Sequence, residues 1–257
     1  MFQNIVPITL DKHRNKKIKP IIDFGFAGQF NLASIMVHEF SRASSTYPIV
    51  FLEDKERDEF RPVVLLGLET GSNLFVNEGK WDASYIPAII RRYPFALARV
   101  DETGERYTVC LDNDSDLISD SEGLELFNEK GEPAEMMERV KQYLSELQQM
   151  ERFTQEFCHF ISEHNLFTPL NMKVRQGNEI KDITGCYVIN EERLNGFSND
   201  TFLKIREKHF IAPIYAHLVS LAQIERLLKL DEQRKGISSD SGVDQFADIE
   251  NMNKKLH

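Results

Sequence analysis

The sequence predicts an α+β fold, in which an N-terminal half rich in antiparallel strands is packed with helices from the C-terminal half. Two observations support this prediction. Up to about residue 130 the chain holds short apolar runs separated by turn sequences, a pattern typical of strands and hairpins. From about residue 132 apolar side chains recur every three or four positions instead, as they do along amphipathic helices.

The first half contains five apolar runs that predict strands. Two pairs of these runs flank short turn sequences, and each pair predicts a hairpin. The first hairpin has its turn at residues 69–72 and the second at residues 101–106. In order, the predicted strands are Tyr47–Leu52, Val63–Leu68 and Asn73–Val76 (the first hairpin), then Phe95–Val100 and Tyr107–Asp112 (the second). Between the hairpins, Ala83–Tyr93 is predicted as a short helix with Asp82 or Ser84 as its N-cap.

The second half is predicted to be mainly helical. A long amphipathic stretch starts at Pro133, which is acceptable at a first helical position, and runs to about His164. It is either one helix or two helices broken near Met150. A strand at Ile183–Ile189 follows, and the remaining predicted helices are Asp200–Lys208 and Pro213–Leu230.

Residues 1–230 are predicted to form a single domain, because no linker rich in proline, glycine or serine interrupts them. Residues 231–257 are polar, rich in serine and aspartate and weakly periodic, so we expect a flexible tail.

The charge distribution argues against nucleic-acid binding. The formal net charge is −10, and residues 101–138 hold 13 acidic side chains against two basic ones, Arg106 and Lys130. An acidic protein gains little from releasing the counterions of a polyphosphate. One basic run, from Lys12 to Lys19, is interpreted as a solvated loop; contact with phosphate or a membrane surface is the alternative.

The sequence gives no reason to expect a cofactor or a metal. The three cysteines form neither a CxxC pair nor a Cys/His ligand pattern. Phosphate-binding glycine loops, a nucleophile elbow and an HExxH motif are all lacking. The stretch from Asp112 begins like a calcium loop, but the turn glycine is replaced by Leu117 and the final glutamate by Gly123. His217 is expected to be a buried, hydrogen-bonded core histidine.

No signal peptide and no apolar run of membrane-spanning length is recognised in the sequence. We therefore expect a reduced, cytoplasmic protein that does not insert into a membrane.

Three blocks of sequence resemble the bacterial SapC-like family, named after a locus for surface-layer protein secretion. They are YPIVFL at residues 47–52, LGLETGSNLFVNEGKWDASYIPAIIRRYPFALA at 66–98, and GCYVINEERLNGF with APIYAHLVSL towards the C-terminus. The resemblance runs in order from about residue 6 to residue 230. It implies an accessory role, because similar proteins are often encoded beside outer-membrane receptors, cupin-like proteins and halogenase-like proteins. It supplies no catalytic residue.

The central block also provides the candidate ligand- or partner-binding residues. Guanidinium groups among aromatic rings suit a carboxylate, a phosphate or a planar ring. On the predicted helix, Tyr85 and Arg92 are seven residues apart and would share one face. In the structural alternative the arginines cap helix carbonyls or pair with the acidic segment, and the aromatics pack the core. The candidates are Trp81, Tyr85, Arg91, Arg92 and Tyr93.

Two classes of function remain open. The first is a non-catalytic accessory or binding protein of a surface-layer, peptide or glycan uptake or secretion system, or of a halogenase-like partner. Its partner would be another protein or a small anionic or aromatic ligand. The second is an enzyme of unrecognised type acting on a peptide, an amino acid or a sugar. A deep pocket at the arginines would favour the enzyme, and a flat exposed surface would favour protein binding.

Overall fold

The computed structural model describes residues 2–100, 106–176 and 179–236, and for residues 173–176 and 179–182 it describes the backbone alone. Within these ranges the α+β prediction is confirmed. The strands are β1 (Ile5–Pro7), β2 (Lys17–Ile18), β3 (Leu32–Ser34), β4 (Ile49–Asp54), β5 (Glu59–Leu65), β6 (Val76–Asn77), β7 (Lys80–Trp81), β8 (Phe95–Arg99), β9 (Tyr107–Asp112), β10 (Ile118–Ser119), β11 (Leu124–Glu125), β12 (Phe167–Gln176) and β13 (Glu179–Ile189). The α-helices are α1 (Leu10–His13), α2 (Phe40–Ala43), α3 (Ala88–Arg91), α4 (Glu135–Glu163), α5 (Glu191–Asn195), α6 (Asn199–Glu207), α7 (Ile211–Ser220) and α8 (Gln223–Lys235).

The largest sheet has five strands in the order β12-β13-β4-β5-β3, and all neighbours are antiparallel. Strand β4 confirms the prediction at Tyr47–Leu52, although it starts at Ile49. The predicted pairing of Val63–Leu68 with Asn73–Val76 is wrong, because β5 pairs with β4 and β3. The Asn73 side chain donates to the Ala27 carbonyl and accepts a hydrogen bond from the Phe75 N–H. These bonds stabilise a loop rather than a second strand.

A second sheet has the order β1-β9-β8 and contains the other predicted hairpin, which is confirmed. The turn of this hairpin at residues 101–105 lies outside the described residues. The Asp112 carboxylate closes the far end of the sheet, since it accepts the backbone N–H of Gln3 at 3.1 Å and of Asn4 at 2.9 Å. This aspartate therefore secures the N-terminal strand.

Helix α4 runs unbroken through Met150 for 29 residues, so of the two alternatives left open the single helix is confirmed. It connects two apolar clusters. Its first half places Leu144 and Leu147 in a cluster with residues of β8 and β9. Its second half places Phe157 and Ile161 in a larger cluster with the five-stranded sheet. One sheet therefore packs against each half of α4.

The last part of the chain corrects one helix boundary. The predicted helix Pro213–Leu230 is two helices, α7 and α8, which join at residues 221–222. Helix α8 continues to Lys235, five residues past the predicted end, because Asp231 and Glu232 are buried and Lys235 pairs with Asp231 and with Glu69. The rest of the expected flexible tail, residues 237–257, lies outside the described residues.

His217 on α7 is fully buried, in agreement with the sequence expectation. Its Nδ1 lies 2.9 Å from the Ile49 carbonyl oxygen of β4, and its Nε2 accepts the Ile189 N–H of β13 at 3.0 Å. Burial lowers the pKa of His217 to about 3. The neutral ring joins a helix to two strands, which is a structural role.

Candidate functional site

The central block folds differently from the predicted helix. Only Ala88–Arg91 is helical, and Pro87 occupies the N-cap position with an extended ψ of 140°. The cause lies in the sequence, because a proline keeps the residue before it, here Ile86, out of the helical conformation. Tyr85 is therefore not on the helix, and the prediction that it shares a helix face with Arg92 is wrong. The two residues come together by tertiary packing instead.

Tyr85 is buried against a carboxylate that the sequence analysis did not select. Its hydroxyl donates to Oε1 of Glu39 at 2.5 Å, and the same oxygen accepts the Ala88 N–H at 2.8 Å. The other oxygen of Glu39 accepts the Met36 N–H at 2.9 Å. Burial first, and then the charge of Glu39, raises the pKa of Tyr85, so its hydroxyl remains a donor. Glu39 thus fixes Tyr85 and the start of α3.

Trp81 lies next to this pair, and its one polar group, the indole N–H, is hydrogen-bonded. Its indole N–H lies 2.9 Å from the Tyr47 hydroxyl oxygen and 3.1 Å from the Tyr85 carbonyl oxygen. Tyr47 is fully buried and donates its own hydroxyl to the Tyr85 carbonyl. Burial raises the pKa of Tyr47, so this hydroxyl also stays protonated. These contacts make Trp81 a support for the backbone that carries Tyr85.

Arg91 is exposed, and two aromatic rings hold its guanidinium group. Its Cζ lies 5.8 Å from the centre of the Tyr85 ring and 6.0 Å from the centre of the Tyr143 ring on α4. Its Nε donates to the Ile86 carbonyl at 2.9 Å. Cation–π contacts with two rings fix the direction of the charge without neutralising it.

Arg92 is half-buried and its side chain donates no hydrogen bond to any described residue. Its Nε is inaccessible to solvent and without an acceptor, and its Cζ lies 5.5 Å from the centre of the Phe2 ring. Burial lowers the pKa of Arg92, while the charge of Glu151 on α4 opposes this shift. The two side chains nevertheless form no ion pair within 4 Å.

The Tyr143 hydroxyl is a second buried donor at this site for which the described part of the chain offers no acceptor. The charges of Arg91 and Arg92 both act on it and lower its pKa, although burial raises that pKa more strongly. Leaving a buried donor unpaired costs about 1–3 kcal/mol. The site therefore combines two cations with two buried donors that have no acceptor, Arg92 Nε and the Tyr143 hydroxyl.

Tyr93 belongs to the surroundings of the N-terminal strand. Its ring stacks on Phe26 with centroids 4.4 Å apart and lies 5.8 Å from the Phe2 ring. Its hydroxyl interacts with the side chains of Ser115 and Asp112. Tyr93 is connected to the arginines through Phe2, whose ring touches both Tyr93 and Arg92.

The acidic segment does not neutralise the two arginines within the part of the chain that the structure describes. Two ion pairs of that segment go to the basic run, where Lys16 meets Asp120 at 2.7 Å and Lys17 meets Glu125 at 3.4 Å, and Glu135 and Glu138 pair with neighbouring cations on α4. No ion pair among the described residues involves Arg91 or Arg92. Among these residues Arg91 donates to one backbone carbonyl, that of Ile86. The aromatic side chains Tyr85 and Tyr93 are buried in the core, as the structural alternative expects.

The described residues contain no group of three or more side chains that could hold a metal ion. Their helices include none that is both long and apolar enough to span a membrane. The three cysteines are buried and unpaired.

The family model described as SapC matches residues 8–227, and the chain therefore belongs to the SapC family. The match includes the central block and the whole of α3 and α4. Comparison with curated proteins yields no match, and comparison with solved structures yields none either.

Proposed function

We propose that this SapC family protein is a non-catalytic binding protein that holds an oxyanion group, a carboxylate or a phosphate, at Arg91, Arg92 and Tyr143. The observation that supports the proposal best is a pair of buried donors without acceptors beside two arginines that form no ion pair within 4 Å, as far as the described residues go. An oxyanion would supply the missing acceptors and the missing charge together. The group belongs either to a small ligand, including an aromatic acid, or to a partner protein.

The supporting residues favour binding over catalysis. Glu39 already accepts three hydrogen bonds, so its carboxylate has little capacity left to take a proton from a substrate. The raised pKa of Tyr85 keeps its hydroxyl protonated at neutral pH. In this proposal Glu39 and Tyr85 are rigid supports that hold the arginines in position. We further propose that the protein has an accessory role in the cytoplasm, either in a surface-layer, peptide or glycan system or with a halogenase-like partner.

Titration calorimetry with benzoate and with inorganic phosphate tests the proposal. We expect saturable binding of at least one of them to the wild type and at least a tenfold loss of affinity in the Arg91→Ala/Arg92→Ala double variant. Circular dichroism should show that the variant keeps its fold. Arg206→Ala provides the matched control, because Arg206 is an exposed arginine on α6.

Equal affinity in the wild type and the double variant would contradict the proposal. Unfolding of the double variant would favour the structural alternative, in which the arginines stabilise the fold. Turnover of a peptide, amino acid or sugar that depends on Arg92 would favour the enzyme instead.

A further inference from the structure

A cavity lies between the first half of α4 and the β8–β9 hairpin. Its volume is about 510 Å³, and it opens to solvent on one side. Pockets for small molecules generally fall between about 300 and 1,000 Å³. Apolar side chains line it from just after β1, from β8 and β9, from the segment that leads into α4, and from α4 itself: Ile8, Leu97, Val109, Phe127, Pro133 and Met137.

Polar side chains line the cavity from β9, at Tyr107 and Thr108, and from one face of α4. Lys141, Ser145 and Gln148 follow one another at intervals of four and three residues, which places them in a row along α4. Tyr143 is two residues from Lys141 and therefore about 200° around the helix. The cavity is thus separate from the arginine site, although both use α4.

One of these polar groups lacks a partner. The Nε2 of Gln148 is buried and has no acceptor among the described residues. A buried amide donor left unpaired is costly, and an acceptor on a ligand in the cavity would satisfy it. Among the described residues that line the cavity, Lys141 is the one with a charged side chain, and its ammonium group lies 2.8 Å from the carboxylate of exposed Glu138. An exposed pair of this kind is weak, so the lysine can turn to another anion at little cost.

We propose that this cavity binds a small amphiphilic carboxylate. The apolar wall of β8, β9 and Met137 holds the hydrocarbon body. The carboxylate accepts hydrogen bonds from Gln148 Nε2 and from the Ser145 hydroxyl, and Lys141 supplies the opposite charge. The juxtaposition of an apolar wall with a row of three donors selects this class over neutral and cationic amphiphiles.

Titration of the whole protein with octanoate tests this site, with 1-octanol as a probe that keeps the hydrocarbon chain and lacks the charge. We expect saturable binding of octanoate and at least tenfold weaker binding of octanol. Gln148→Leu removes the donor at similar volume and should weaken octanoate binding at least tenfold. Gln149→Leu is the matched control, since Gln149 is the exposed neighbour and does not line the cavity.

Two further variants keep the test decisive. Ser145→Ala, a mild change at an exposed position, should weaken octanoate binding without altering the fold. Val109→Phe fills the cavity and should abolish binding of both probes. Equal binding of octanoate and octanol, no binding of octanoate to the wild type, or unchanged affinity in Gln148→Leu would overturn the proposal. The Arg91→Ala/Arg92→Ala variant should bind octanoate normally, which separates this site from the arginine site.

Discussion

Removing the Tyr143 hydroxyl should stabilise the free protein. In Tyr143→Phe the ring remains beside the Arg91 guanidinium at the same position, and the buried donor that has no acceptor disappears. An unpaired buried group costs about 1–3 kcal/mol, so we expect the free energy of unfolding to rise by about 1 kcal/mol. For a chain of this length that corresponds to an increase of about 2–4 °C in Tm.

The same chemical change at Tyr47 provides a control of opposite sign. The Tyr47 hydroxyl donates to the Tyr85 carbonyl and accepts the indole N–H of Trp81, so Tyr47→Phe leaves two buried groups without that partner. We expect a loss of about 1–3 kcal/mol in this variant. Urea unfolding followed by circular dichroism measures both changes. A loss of stability in Tyr143→Phe similar to that in Tyr47→Phe would refute the reasoning, because it would mean that the Tyr143 hydroxyl is already satisfied in the free protein.

Three further predictions concern the frame around the site. Glu39→Gln should lower the free energy of unfolding by about 3 kcal/mol in urea titrations, since an amide cannot accept all three hydrogen bonds; an unchanged midpoint would contradict this role. The pKa of His217 is lower in the folded protein, about 3, than in the unfolded chain, about 6.5, so stability should fall by up to about 1.4 kcal/mol per pH unit as the pH drops below 6.5. A flat profile from pH 6 to pH 4 after subtraction of a His217→Gln control would refute that assignment. Asp112→Asn should speed amide hydrogen exchange at Gln3 and Asn4, with little change in β4.

Local sequence patterns predicted those elements whose structure depends mainly on residues close together in the chain. The β8–β9 hairpin and the long amphipathic helix were predicted correctly, because alternation and three-to-four spacing are strong over those stretches. The β4–β5 hairpin was missed because its connection, residues 55–58, is charged and lacks the usual glycine. Asp58 takes the positive φ of 53° there instead. The helix predicted at Ala83–Tyr93 is too long, because Pro87 keeps Ile86 out of the helical conformation and the helix begins at Ala88.

The candidate site was predicted in part. The sequence analysis selected Arg91 and Arg92 for their aromatic surroundings, and the structure places two rings and an unpaired hydroxyl beside them. It could not select Glu39 or Tyr143, which are 52 and 51 residues away from Arg91 and Arg92 in the chain. The one sequence signal for Glu39 is that a carboxylate occurs within an apolar stretch. Because the chain has 41 acidic residues, such an occurrence is weak evidence for a site residue. Contacts of this kind depend on tertiary packing.

The Arg92 Nε–H resonance in ¹H–¹⁵N spectra offers the most direct test of the arginine site. It can be assigned by its loss in Arg92→Lys and followed during titration with benzoate or phosphate. We expect the Arg92 Nε–H resonance to shift and to saturate on titration, with a weaker affinity in Tyr143→Phe. The Nε–H resonance of exposed Arg206 should stay unchanged. A resonance of Arg92 that does not move with either anion, or that moves only as much as that of Arg206, would contradict the account.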